Sequence, residues 1–248
     1  MRVAVIYDIH GNLPALEAVL QEIRQLDVDQ IVVGGDVILG PMSRESLDSL
    51  LGLSIPVSFI QGNCEVSVLA LMTGKDPGPL PQQVLDAIRW TAEQLLPEHQ
   101  QLLADWPKTL RLEITGLGEV LFCHATPRNE TECFTRLTPE DKLLPVFEKL
   151  NVDLIVCGHT HMQFDRMIGR IRVVNAGSVG MPFGEPGAYW LLLGPNIEFR
   201  YTLYDLTEAA KRIRDTKYPQ AEDFAANNVL QPPSQDKMLN VFSRVELK

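Results

Sequence analysis

Short apolar runs rich in Val and Ile alternate with longer segments whose apolar positions repeat at helical spacing. Residues 2–8 are the first such run, and it stops at Asp8. Pro14 then opens a segment in which Leu16, Val19, Leu20, Ile23 and Leu26 fall on one helical face. Residues 30–34 read as a second strand ending at Gly35-Asp36. Ser43 reads as the N-cap of a helix through Leu51, and residues 57–60 as a third strand followed by Gly62-Asn63-Cys64-Glu65. Strand, helix, strand, helix, strand in this order predicts an α/β sheet built by right-handed crossovers.

The pattern changes near Thr73, where Gly74, Pro77, Gly78, Pro79 and Pro81 mark a loop. Two helical patterns follow, one carrying Val84, Leu85, Ile88, Ala92 and Leu95, the other running from Pro97 to Trp106. About 30 residues make a poor core alone, so residues 73–107 read as a helical cap beside a crevice. Residues 109–115 and 119–124 predict a hairpin ending at His124, followed by a polar loop over 125–136. Thr138 and Pro139 open a helix that Pro145 is expected to kink or divide. The run 153–157 predicts a buried strand that stops at Gly158 and presents His159 and His161. A hairpin over 163–168 and 171–174, a glycine turn over 175–180 and strands at 188–193 and 197–204 complete the sheets. A polar helix begins after Thr207, and the tail from Gln231 has little pattern. The chain reads as one domain over 1–248, with the cap insertion and a C-terminal extension at about 207–248.

Composition narrows the classes of function. The formal net charge of −10 argues against a general nucleic-acid or anionic-membrane surface, both of which want a basic face. It leaves room for a small phosphorylated ligand, since bound cations reverse a local field. No apolar stretch reaches the roughly 18 residues of a membrane span, and the first run lacks the features of a signal peptide. Cys64, Cys123, Cys133 and Cys157 form no C-x-x-C pair. They read as reduced thiols in a cytoplasmic protein.

The candidate chemistry lies at the ends of the predicted strands: Asp8-x-His10, Gly35-Asp36, Gly62-Asn63, His124 and Gly158-His159-x-His161. Each alone has a bland explanation as a cap, a turn residue or a core histidine. Together they put four of the five histidines directly after strands, in company with two carboxylates. Seven donors are too many for one tetrahedral ion and suit two five- or six-coordinate ions. Nitrogen and oxygen donors without thiolate favour Mn, Fe, Zn or Co over Cu(I) or an iron–sulfur cluster. Two ions roughly 3.5–4 Å apart clamp an in-line displacement at phosphorus. Asp36, alone at its strand end, is the candidate bridge. Arg128, four residues after His124, reads either as a bidentate phosphate clamp or as a solvated loop arginine. Asn12 reads either as a phosphate contact or as the cap of the first helix.

The order Asp-x-His, Gly-Asp, Gly-Asn, His, Gly-His-x-His resembles the calcineurin-like metallophosphoesterases over residues 3 to about 180. Asp8-Ile-His10-Gly-Asn12 and the stretch 175–180 look most like the small bacterial phosphodiesterase and diadenosine tetraphosphatase-like branch. The resemblance implies a four-layer α/β/β/α sandwich of two mixed sheets. It implies that Asp8, His10 and His161 hold one ion, that Asn63, His124 and His159 hold the other, and that Asp36 bridges. Asp36, Asn63 and Arg128 are then the catalytic candidates, with Asn12 and Arg128 on the substrate. The expected cofactors are two divalent ions, Mn or Fe first, with Zn, Ni or Co as alternatives. The expected activity is hydrolysis of a small phosphoester or phosphoanhydride by a metal-bound hydroxide. A non-catalytic binding scaffold of the same fold is the alternative, and homo-oligomerisation is left open. One departure stands out. Many members carry a histidine after the Gly-Asn pair, and this chain has Cys64. Loss of a general acid costs about 10²–10⁴ in rate, which poor leaving groups feel most.

Overall fold

A computed structural model describes residues 1–245 and 247. Val3–Ile6 (β1) pairs in parallel with Gln30–Val33 (β2), which pairs in parallel with Val57–Phe59 (β3). Leu13–Ile23 (α1) and Ser43–Leu51 (α2) make the crossovers. All four β1 residues are buried, as expected of a strand covered on both faces. Asn63–Met72 (α3) follows β3. Gln82–Gln94 (α4) and Pro97–Asp105 (α5) lead into the hairpin Thr109–Ile114 (β4) and Gly118–Cys123 (β5). Glu140–Phe147 (α6), Leu154–Cys157 (β6), Phe164–Ile168 (β7) and Ile171–Asn175 (β8) come next. Ala188–Leu193 (β9) and Ile197–Thr202 (β10) then return antiparallel to the far side of β1.

The result is two mixed five-stranded sheets, ordered β10-β9-β1-β2-β3 and β4-β5-β6-β8-β7. Side-chain alternation sorts their faces. Val3 and Val5 meet Val120, Phe122, Val156 and Val174 between the sheets. Ala4 and Ile6 face outward, into a cluster with Leu16 and Val19 of α1 and Leu47 of α2. Ile88 of α4, Leu103 of α5 and Trp106 join that same outer cluster. Leu143 and Phe147 of α6 cover the outer face of the second sheet. The layers are therefore helix, sheet, sheet, helix.

One side chain stitches the sheets at the end where β1 stops. Tyr7 is fully buried, and its hydroxyl lies 3.2 Å from the Cys123 carbonyl and 3.0 Å from the Val156 carbonyl. Tyr7→Phe leaves both carbonyls without this donor. It is expected to cost about 1–2 kcal/mol, read as a lower urea midpoint at an unchanged slope.

Several sequence expectations shift. The α3 helix is not anticipated, because NCEVSVLALM is apolar nearly all round and shows no stripe. Met42, not Ser43, is the N-cap of α2, and the Ser43 hydroxyl bonds the Gly40 backbone instead. Helix α6 runs through Pro145 without dividing and ends two residues later. The C-terminal region is more ordered than its pattern suggests. Leu206–Arg214 (α7) is capped by Asp205, and Ala221–Phe224 (α8) runs into a π-helical turn at Ala225–Leu230. Gln235–Phe242 (α9) is capped by Ser234. Ala209, Ile213, Phe224 and Val229 from this region pack on Leu13 and Met42, above the loops that leave β1 and β2. Among the described residues, no helix is long and apolar enough to cross a membrane.

Candidate metal centre

The loops beyond β1, β2, β5 and β6, with the first residue of α3, converge on one point. Asp8 and His10 follow β1, Asp36 follows β2, Asn63 opens α3, His124 follows β5, and His159 and His161 follow β6. All seven predicted donors meet there. Asp8, His10 and His161 place ligand atoms within 4.8 Å of one another, and so do Asp36, His124 and His159. Asp36 Oδ2 reaches both groups, 3.8 Å from His10 Nε2 and 3.4 Å from His124 Nε2. Asn63 Oδ1 lies 3.0 Å from His124 Nε2.

The ring nitrogens are oriented from behind. His161 Nδ1 sits 2.7 Å from the Met181 carbonyl, and His124 Nδ1 sits 2.9 Å from the Gly34 carbonyl. Each must donate there, which aims Nε2 inward, the usual support for a metal-binding imidazole. His159 differs. Its Nε2 lies 3.4 Å from Cys133 Sγ, and its Nδ1 lies 2.9 Å from the Asn63 amide.

Two features test whether these residues suit cations. Asp8 Oδ2 accepts the His159 N–H at 2.9 Å, whereas Asp8 Oδ1 is buried with no hydrogen-bond partner among the described residues. Such an orphan is costly unless something positive reaches it. Asn63 also points its amide into this space, 3.0 Å from His124 Nε2, 2.9 Å from His159 Nδ1 and 3.3 Å from Asp36 Oδ2. Converging lone pairs on oxygen and nitrogen suit divalent ions, so the donors fit the group.

The backbone is strained at the same place. Asp8, His10, Asp36, His159 and His161 all have left-handed φ, between 49° and 66°. Each such non-glycine residue costs about 1–3 kcal/mol. Main-chain bonds hold them, including His10 N to Asp36 O at 2.9 Å and Gly180 N to Asp8 O at 3.0 Å. Close approach also demands glycine at Gly62, where a Cβ would stand 2.2 Å from Asp36 Oδ1.

Glu65 is the residue that sequence reasoning missed. It is fully buried, and its carboxylate accepts the N–H groups of Asp36 (2.8 Å), Val37 (2.9 Å), Ile38 (3.4 Å) and Gly62 (2.8 Å). It ties the Asp36 loop to the Asn63 loop. Burial, and next the Asp36 charge, push its pKa up to about 7. Its position three residues after Gly62, at the third residue of a helix, is the signal that could have found it.

Three other residues near the centre have defined partners. Asn12 is fully buried. Its Oδ1 accepts from Ala15 N, and its NH₂ donates to the Gly180 carbonyl at 2.9 Å. The NH₂ also lies 3.3 Å from the Tyr204 hydroxyl, so both ends of the amide are engaged within the protein. Arg128 lies on the loop after His124, paired through Nε and Nη2 with Glu132. Cys64 Sγ lies 3.0 Å from Asp36 Oδ2. Burial, and next the Asp36 charge, raise its pKa well above that of a free thiol, so it stands as a neutral donor and not a nucleophile.

Burial holds His10 and His159 down at about 4, so both offer neutral nitrogen at pH 7. His124 goes the other way. Burial alone would lower it, but Asp36 outweighs burial and carries it up to about 10. An ion entering the centre must displace that proton. Metal uptake by the chelated protein is therefore expected to release protons, with apparent affinity rising between pH 6 and 9. Indicator-dye titration checks the release.

These features agree with comparisons to known proteins. Residues 1–194 match the model of the calcineurin-like phosphoesterase superfamily domain. The chain belongs to this superfamily, a family of metal-dependent phosphoesterases. It is 29% identical over 246 residues to the uncharacterized protein MJ0912 of Methanocaldococcus jannaschii, covering 88% of this chain and 94% of that one. It is 27% identical over 206 residues to the phosphodiesterase YfcE of Escherichia coli K12, covering 77% of this chain and 87% of that one. The crystal structure of a metallophosphoesterase from Sphaerobacter thermophilus superposes with a TM-score of 0.71 at 25% identity, over 92% of this chain and all of that one.

Proposed function

We propose that the chain is a binuclear metal-dependent phosphoesterase acting on phosphodiester, phosphomonoester or phosphoanhydride bonds of small molecules. The observation that carries this reading is the set of inward-facing lone pairs, above all the orphaned Asp8 Oδ1. Asp8, His10 and His161 would hold one ion, Asn63, His124 and His159 the other, and Asp36 both. When bound, the ions would supply positive charge and a more acidic water for attack at phosphorus. The chain's own part is placement. Glu65 fixes the Asp36 loop, and the carbonyls of Met181 and Gly34 aim His161 and His124. Arg128 would serve as a phosphate clamp by exchanging Glu132 for a non-bridging oxygen. No histidine stands at Cys64 to protonate a leaving group, so esters of acidic alcohols should react fastest.

Elemental analysis of purified protein is expected to give two divalent ions per chain, Mn or Fe first. EDTA should abolish hydrolysis of bis-p-nitrophenyl phosphate, and Mn²⁺ should restore it. Full activity in the chelated protein would overturn the proposal. A metal-replete chain with no turnover on any phosphoester would favour the scaffold alternative.

A further inference from the structure

A cleft of about 260 Å³ opens beside the metal donors, with His10 in its lining. Much of its wall is built by the C-terminal region, beyond the 194 residues that match the family domain. Tyr218 and Phe224 give it an aromatic side. Their rings lie edge to face at 6.3 Å, and Tyr218 meets Trp90 edge to face at 5.2 Å, so the surface is fixed by packing. Besides His10 and Tyr218, the polar lining consists of the amides Gln83, Gln220 and Asn228 with one carboxylate, Asp223. Gln220 Nε2 donates to the Gln83 carbonyl at 3.2 Å, joining the start of α4 to the C-terminal segment. Asn228 lies in the π-helical turn, a rare widening that recurs at functional sites. Its amide has no partner among the described residues.

The charge of this lining is informative. It contains no lysine or arginine, and Asp223 would repel an anion. A second phosphate is therefore a poor occupant. A small cleft with aromatic walls and side-chain amides suits a neutral ring with hydrogen-bonding edges. We propose that the cleft binds the uncharged planar group of a phosphoester whose phosphorus lies over the metal donors. This rests on the phosphoesterase reading and narrows its substrates to those with a nucleoside-like or aryl substituent. It disfavours those that would place further phosphates on this side.

The test uses the full chain treated with EDTA, so that no ion is needed, with ligand binding followed by NMR titration. The probes are adenosine, phenol and inorganic pyrophosphate. The variants are Asn228→Leu, which removes the free amide, and Gln83→Trp, which fills the cleft from an exposed position. Thermal unfolding verifies that both are folded. Gln83→Trp is expected to weaken ring binding at least tenfold. If Asn228→Leu weakens adenosine at least fivefold and leaves phenol within twofold, the occupant is a nucleoside. If phenol binds as well as adenosine and Asn228→Leu is silent, the occupant is a simple aryl group. Binding of neither ring, ring binding that Gln83→Trp leaves unchanged, or pyrophosphate as the best ligand would overturn the proposal. Turnover of methyl p-nitrophenyl phosphate by the metal-loaded parent separates the two readings. Activity without ring binding sinks only the cleft, and ring binding without activity sinks only the enzyme.

Discussion

Asp36→Asn protein is expected to retain at most one ion per chain and to hydrolyse bis-p-nitrophenyl phosphate at least about 10²-fold more slowly than the parent. Asp36 Oδ2 is the oxygen that reaches both ligand groups, and Oδ1 is already taken by the Cys64 N–H at 2.8 Å. Asparagine keeps the size and one acceptor but removes the negative charge that offsets two dications. The fold should survive, because the Cys64 N–H can still bond an amide oxygen. The chelated variant should also show a lower His124 pKa, since Asp36 is the main force raising it. Rates and ion content equal to the parent's would remove Asp36 from its assigned place.

Glu65→Ala should be the most damaging substitution for stability. Four backbone N–H groups lose their acceptor in a fully buried setting. Each unsatisfied donor costs about 1–3 kcal/mol, and partial relaxation brings the expected total to roughly 3–5 kcal/mol, comparable to breaking a buried ion pair. For a chain of this length that is a fall of roughly 10 °C in Tm. Glu65→Gln should fall between, since one amide oxygen can serve part of the set while its NH₂ opposes the rest. If the Gln variant folds, it should bind Mn²⁺ about 10–100-fold more weakly, the usual cost of losing a residue that orients a ligand. A Gln variant with parental stability and ion affinity would show that the carboxylate does not organise the centre.

The candidate metal donors are legible in the sequence because each follows a strand end, and the ends of neighbouring parallel strands gather at one edge. What supports them is harder to read. Three of the four N–H groups that Glu65 accepts belong to Asp36, Val37 and Ile38, far from it in sequence, and only its place three residues after Gly62 hints at the role. The α3 helix escapes notice because its apolar residues ring the whole circumference. Asn12 and Arg128 each admit two readings, and the sequence does not show their partners: Gly180 and Ala15 for the first, Glu132 for the second. The C-terminal helices are obscured by Pro232 and Pro233, although Ser234 is a sound cap signal. The cleft that they wall is assembled from five separate segments of chain, a relation that no local periodicity contains.

The left-handed donors set heat tolerance against ion retention. At 8, 10, 36, 159 and 161 the main chain would rest more easily with glycine, which adopts such angles without penalty. A library screened only for survival at high temperature in chelator should drift toward glycine at these positions and empty the centre while toughening the shell. A screen that demands bound ions should hold them fixed and find its gains elsewhere.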